Sequence, residues 1–78
     1  MQKTRQRLLT VEDKKLAKRI KEIRESKDIT QEALSLKIGA NPNYIVFVET
    51  GRRGLSLPMV YKLSKALNIT PKELFSFK

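Results

Sequence analysis

The stretch ITQEALSLKIGANPNYIVFVETG, residues 29–51, decides the fold. Thr30 offers a hydroxyl where a helix needs an N-cap, and the residues after it are good helix formers. Leu34 and Ile38 stand four apart and share one helical face, so a short helix is predicted over 31–38. Gly39 follows at the place where a helix end favours a residue tolerant of positive φ. Two residues later come Asn41 and Pro42, an N-cap and a proline suited to the first helical position. A second helix is therefore predicted over 42–50, ended by Gly51. Two helices joined by a turn of about three residues form a helix-turn-helix unit, here read from caps and breakers.

On a helical wheel, Ile45, Val48 and Glu49 fall on one side of the 42–50 helix. Asn43, Phe47 and Thr50 fall on the other, with Tyr44 and Val46 on the flanks. Ile45 and Val48 are the predicted buried anchors. A carboxylate beside them is costly unless paired. Arg24, at the edge of the apolar stripe of the preceding helix, is the expected partner, since its fork can hold a carboxylate bidentately.

Outward from this unit, Thr10 is the predicted N-cap of a helix running to residue 27, with Asp13 at the capping-box position. Leu16, Ile20 and Ile23 make its inner stripe, while Lys14, Lys15, Lys18, Arg19, Lys21, Glu22 and Glu25 cover much of the rest. C-terminal to it, Gly51-Arg52-Arg53-Gly54 is a basic turn. A helix over 57–67 carries Val60, Leu63 and Leu67 inward, flanked by Met59 and Ala66. Thr70-Pro71-Lys72-Glu73 is a capping box with proline at the first position, opening a short last helix with Leu74 and Phe75. The expectation is an all-α fold of five helices: a basic arm over 1–10, carrying Lys3, Arg5 and Arg7, and one domain over 11–78.

The chain has 78 residues, no cysteine and no histidine, so disulfides and Cys/His zinc sites are excluded. Without a glycine-rich phosphate loop or a cluster of acids on one face, catalysis is not expected and no cofactor or metal is called for. No apolar run reaches the roughly 20 residues of a membrane span, nor is there a signal-peptide core, so the expected location is the cytoplasm. Seventeen Lys/Arg against eight Asp/Glu give a net charge of +9. Nucleic acid is the commonest partner of such a field; a generally solvated basic surface is the other reading.

The segment Ile29-Thr30-Gln31-Glu32-Ala33-Leu34 resembles the lambda-repressor/Cro-like, or XRE-type, helix-turn-helix domains. The likeness runs on through Gly39, Asn43-Tyr44-Ile45, Val48-Glu49-Thr50-Gly51-Arg52-Arg53 and Leu63-Ser64-Lys65-Ala66-Leu67-Asn68-Ile69 to Leu74. It implies a compact five-helix DNA-binding domain that regulates transcription, repressor-like, by reading the major groove with the 42–50 helix. It also implies roles for single residues. Gln31 would touch backbone phosphate and brace the reading helix. Asn43, Tyr44 and Phe47 would face base edges, while Thr50, Arg52 and Arg53 would hold phosphates, and Arg24 and Glu49 would form a buried ion pair. Asn41, at the start of the reading helix, and the arm's Lys3, Arg5 and Arg7 complete the expected double-stranded DNA contacts.

Two departures stand out. Ser35 occupies a position that is usually alanine in the family; its hydroxyl can bond back to a helical carbonyl. Pro42, Val46 and Phe47 stand where relatives often carry polar or basic residues, which makes the reading face unusually apolar. Val46 and Phe47 could meet thymine methyl groups or a protein partner. Two further readings thus stand beside the regulator: an antitoxin that also masks a toxin, and a protein-interaction module on the same fold. A homodimer on a two-fold site is the expected assembly, with Leu36, Leu74, Phe75 and Phe77 as the surface residues; core closure is the competing role for Leu74 and Phe75.

Overall fold

The computed structural model describes residues 11–76, and the side chains from residue 14 onward. Five helices follow one another: α1 (Val11–Ser26), α2 (Gln31–Lys37), α3 (Tyr44–Glu49), α4 (Leu57–Ala66) and α5 (Pro71–Leu74). No strand occurs among the described residues. α2 and α3 pack on each other, α1 lies against α3 and α5, and α4 against α5. The predicted apolar stripes meet in one core. Ile20, Leu34, Ile45, Leu63, Leu67 and Leu74 are fully buried there, with Leu16, Ile23, Ile38, Val48 and Val60 around them.

Short helices such as these do not hold by propensity, because nucleation is costly and isolated helices of this length are marginal in water. Local chemistry sets their ends. Thr30 accepts the Ala33 amide at 3.0 Å, Ser56 accepts that of Met59 at 3.3 Å, and Thr70 and Glu73 cap each other's backbone N–H reciprocally. At their C-termini, α1 to α4 share one device. A residue in the left-handed region (Asp28, Gly39, Gly51 or Asn68) turns the chain back. The amide of the next residue then bonds the carbonyl five positions earlier: Ile29 to Arg24, Ala40 to Ser35, Arg52 to Phe47 and Ile69 to Ser64. This wrap satisfies carbonyls that a helix end leaves orphaned. Three of those following residues, Ile29, Ala40 and Ile69, pack against the core, so each stop also directs the chain into the next element.

The start of the second helix of the unit differs from the expectation. α3 begins at Tyr44, not at Pro42, and its N-cap is Asn43. Asn41 caps a tight turn instead. Its side-chain oxygen accepts the Asn43 amide at 2.9 Å and its carbonyl accepts the Tyr44 amide at 2.9 Å. An asparagine that bonds a backbone two residues on offers the chain a turn in place of a helical start, and Pro42 sits inside that turn. Of the two roles open to Leu74, core closure is the one it takes: it lies wholly in the core and not on an outer surface. Leu36 and Phe75 do stay exposed, as do Leu57 and Tyr61 on α4. Phe77 and the arm with Lys3, Arg5 and Arg7 lie outside the described residues.

Gly39 isolates the conformational part of these helix stops. It sits at φ +74°, and a Cβ built there meets nothing within 4 Å. Gly39→Ala is expected to lower stability by about 1–2 kcal/mol through the left-handed penalty alone, measured as a shifted denaturant midpoint at unchanged slope.

Candidate nucleic-acid interface

The inner face of α3 determines what its outer face can do. Ile45 and Val48 insert into the core, and one turn apart from Ile45 comes Glu49, whose side chain is only 3% exposed. Its carboxylate accepts from Arg24 Nε at 2.7 Å and Nη2 at 3.0 Å, the bidentate fork. Gln31 Nε2 donates to the same carboxylate at 2.9 Å, and the remaining Arg24 nitrogen, Nη1, bonds the Ile29 carbonyl at 2.8 Å. The hydrogen bond with Glu49 holds the Arg24 guanidinium above its already high ordinary pKa, against burial, which pushes it down. One side chain each from α1, α2 and α3 thus meets at a single carboxylate.

Ser35 supplies a second tie between α2 and α3. Its hydroxyl donates to the Gln31 carbonyl at 2.8 Å and accepts the backbone N–H of Ile45 at 3.0 Å. The bond back to the helix is the expected one. The bond onward to Ile45 was not anticipated: it satisfies an amide in the first turn of α3 with a buried acceptor. Alanine at this position could not do so.

With its inner face fixed, α3 presents the rest outward. Asn41 and Asn43 are exposed at its start, and Thr50 is exposed at its end. Tyr44, Val46 and Phe47 are half-buried, so the apolar character expected of this face is partly absorbed by the protein. The Thr50 hydroxyl donates to the Val46 carbonyl at 2.8 Å, so its hydrogen is engaged within the helix. Its oxygen keeps only acceptor capacity while that bond lasts.

Arg52 and Arg53 stand exposed in the turn after α3. The Arg53 guanidinium carbon lies 5.5 Å from the centre of the Tyr44 ring, within cation–π range. That contact holds a cation of the turn beside the first turn of α3. Burial raises the Tyr44 pKa while the nearby Arg53 charge lowers it, the net direction being upward, which keeps the phenol a hydrogen-bond donor. Gln31 is half-buried and its amide nitrogen is used on Glu49. Bracing of α3 is therefore its observed contact.

Asn41, Asn43, Tyr44, Thr50, Arg52 and Arg53 thus come together along α3 and its two flanking turns. A residue that sequence reasoning left among solvated side chains also belongs near them. Lys14 of α1 borders the hollow beside Glu49, Thr50 and Gly51. The available signal was Ala17, a buried residue one turn further along the same side of α1.

Comparison with known proteins gives a consistent picture. A family model described as helix-turn-helix matches residues 20–74. An uncharacterized HTH-type transcriptional regulator of Archaeoglobus fulgidus is 39% identical over 59 residues, covering 76% of this chain and 84% of the relative. The crystal structure of the restriction-modification controller protein C.AhdI from Aeromonas hydrophila superposes with a TM-score of 0.78 at 37% identity, over 83% of this chain and 98% of that one. The controller protein C.Esp1396I, crystallised as a tetramer in complex with its natural 35 base-pair operator, gives a TM-score of 0.78 at 29% identity, over 85% of this chain and 87% of that one.

Glu49→Ala is expected to destabilise the fold by about 3–5 kcal/mol, because it leaves the buried Arg24 charge without its counterion. Thermal unfolding followed by circular dichroism checks this; an unchanged melting temperature would show that the three-helix tie is not holding the unit together.

Proposed function

The chain belongs to the helix-turn-helix family, of the XRE type, and from that premise we propose that it regulates transcription by sequence-specific binding of double-stranded DNA. The observation that carries the reading is the division of labour along α3. Its inner face is locked by Ile45, Val48 and the Glu49 cluster, while Asn43 remains exposed at its start and Arg52 and Arg53 remain exposed just beyond its end.

In this proposal phosphate contacts from Arg52, Arg53 and Asn41 set position, joined by the second amide hydrogen of Gln31 and by Thr50 once its hydroxyl releases the Val46 carbonyl, and side chains facing the bases discriminate. Asn43 is the group suited to adenine, whose N6 and N7 an asparagine amide can engage together. Tyr44 offers a donor, and Phe47 with Val46 offers apolar surface to thymine methyl groups. The preferred half-site is therefore rich in A and T. The arm over 1–10, with Lys3, Arg5 and Arg7, adds a sequence-independent grip beside the domain over 11–78. Binding is repressor-like, involves no catalysis, and takes place in the cytoplasm.

We also propose a homodimer on a two-fold symmetric site, with half-sites about 34 Å apart. The controller protein C.Esp1396I binds its operator as a tetramer, which supports assembly as the route to a full operator. Exposed Leu36 and Phe75, with Leu57 and Tyr61 on α4, provide apolar surface for the second copy.

Selection of bound sequences from a random duplex pool tests the reading directly. The expected result is a two-fold symmetric motif. On that motif Asn43→Ala should weaken binding by about 1–3 kcal/mol and leave a random duplex unaffected. Equal loss on every duplex would remove Asn43 as a reader, and failure to enrich any motif would move Val46 and Phe47 to a protein-facing role.

A further inference from the structure

Two adjoining hollows open where α1 meets the end of α3. Both are bordered by Lys14, Ala17 and Gly51. One continues along Glu49 and Thr50, the other to Arg53 and Gly54. Lys14 therefore stands over the junction of the reading helix and the basic turn, although it is some 35 residues away in sequence.

The electrostatics of this junction are unusual. A helix C-terminus carries a partial negative charge that repels anions. The local backbone donors are already engaged, Gly51 N–H on Val48 and Arg52 N–H on Phe47, as is the Thr50 hydroxyl. Attraction for an anion must come from side chains. Glu49 would oppose it, but Arg24 neutralises that carboxylate at 2.7 Å. Lys14 remains as the cation bordering both hollows, with Arg53 on the wall of one of them and its guanidinium over the Tyr44 ring. Lys14 is exposed, and among the described residues the ion pairs are those of Arg24 with Glu25 and Glu49, so no carboxylate there competes for it.

We propose that Lys14, with Arg53 beside it, forms a phosphate site at the exit of α3, and that its ligand is a phosphodiester of the DNA backbone. The assignment rests on the DNA-binding reading above and adds α1 to the elements that grip the duplex. A lysine suits the task as a compact, flexible point charge that needs no fixed hydrogen-bond geometry. Because phosphate carries no sequence information, the contribution is the same on every duplex.

The test is a fluorescence-anisotropy titration of labelled duplex at several chloride concentrations, with wild type, Lys14→Ala and, as a control, Lys62→Ala on α4. Lys62 borders neither hollow. Each neutralised phosphate contributes about −0.9 to the log–log salt slope, so Lys14→Ala should flatten the slope by about 0.9 and weaken binding about eightfold at about 0.1 M salt. The loss should be equal on selected and random duplexes, with Lys14→Arg restoring it and thermal unfolding unchanged. A Lys14→Ala slope equal to wild type, or a loss no larger than that of Lys62→Ala, overturns the site while leaving the DNA reading intact. A flat salt response of the wild type overturns both. In a second arm inorganic phosphate replaces chloride at matched ionic strength. Displacement of duplex from wild type but not from Lys14→Ala would mean that the pocket prefers the free ion, which overturns the phosphodiester assignment.

Discussion

Everything on the outer surface of α3 depends on the carboxylate of Glu49. Its two partners come from α1 and α2: the Arg24 fork and the Gln31 amide donate to it, while Arg24 donates its remaining nitrogen to the Ile29 carbonyl in the turn between those helices. A greasy contact at this spot would allow α3 to roll or slide by a fraction of a turn. A bidentate pair with an extra amide bond does not, because its geometry is satisfied in one arrangement only. Apolar replacements of matching volume can equal a buried ion pair in stability, so its use here is one of orientation: it fixes which residues of α3 face outward.

The tie matters because α3 has only six residues. A helix of that length has no stability of its own, and its direction is inherited from what surrounds it. Ser35 holds its first turn through the Ile45 amide, Glu49 holds its last turn, and Ile45 and Val48 fill the space between. The left-handed residues Gly39, in the turn before α3, and Gly51, just after it, then bound this helix on either side. Removing any one of these elements leaves the others anchoring a helix whose exposed side chains no longer share a fixed frame.

Much of this was legible in the residues. Caps and stops are chemical statements about single positions, so Thr30, Thr70, Gly39 and Gly51 marked their helices correctly. The pairing of Arg24 with Glu49 followed from a charge that had no cheaper place to go. Asn41 and Pro42 misled because the same residues favour two structures, a helix start and an Asx turn, and the dipeptide by itself does not choose between them. Leu74 stayed open between two roles for a related reason: an apolar residue near a terminus serves core and interface equally until the neighbours are known. Ser35's second bond and the position of Lys14 depend on how α1, α2 and α3 cross, which no spacing within one helix encodes. The candidate site was thus readable where one element defines it and opaque where two elements meet.

The same geometry bounds what a single copy can read. One good bidentate contact discriminates by about 1–3 kcal/mol, and specific sites typically exceed non-specific DNA by about 4–10 kcal/mol. Along α3 and its N-cap, Asn43 is the one side chain of the adenine- or guanine-reading type, while Val46 and Phe47 are half-buried and can add only apolar contacts of modest weight. The lower edge of that range is barely within reach of one domain. Two domains on a two-fold site double the discrimination, and they do so without asking α3 to carry more readers than six residues can display. The +9 charge complements this arrangement: in the proposed reading, cations around the turn after α3 hold any duplex, and a short, rigidly mounted helix needs only to distinguish among the duplexes already held.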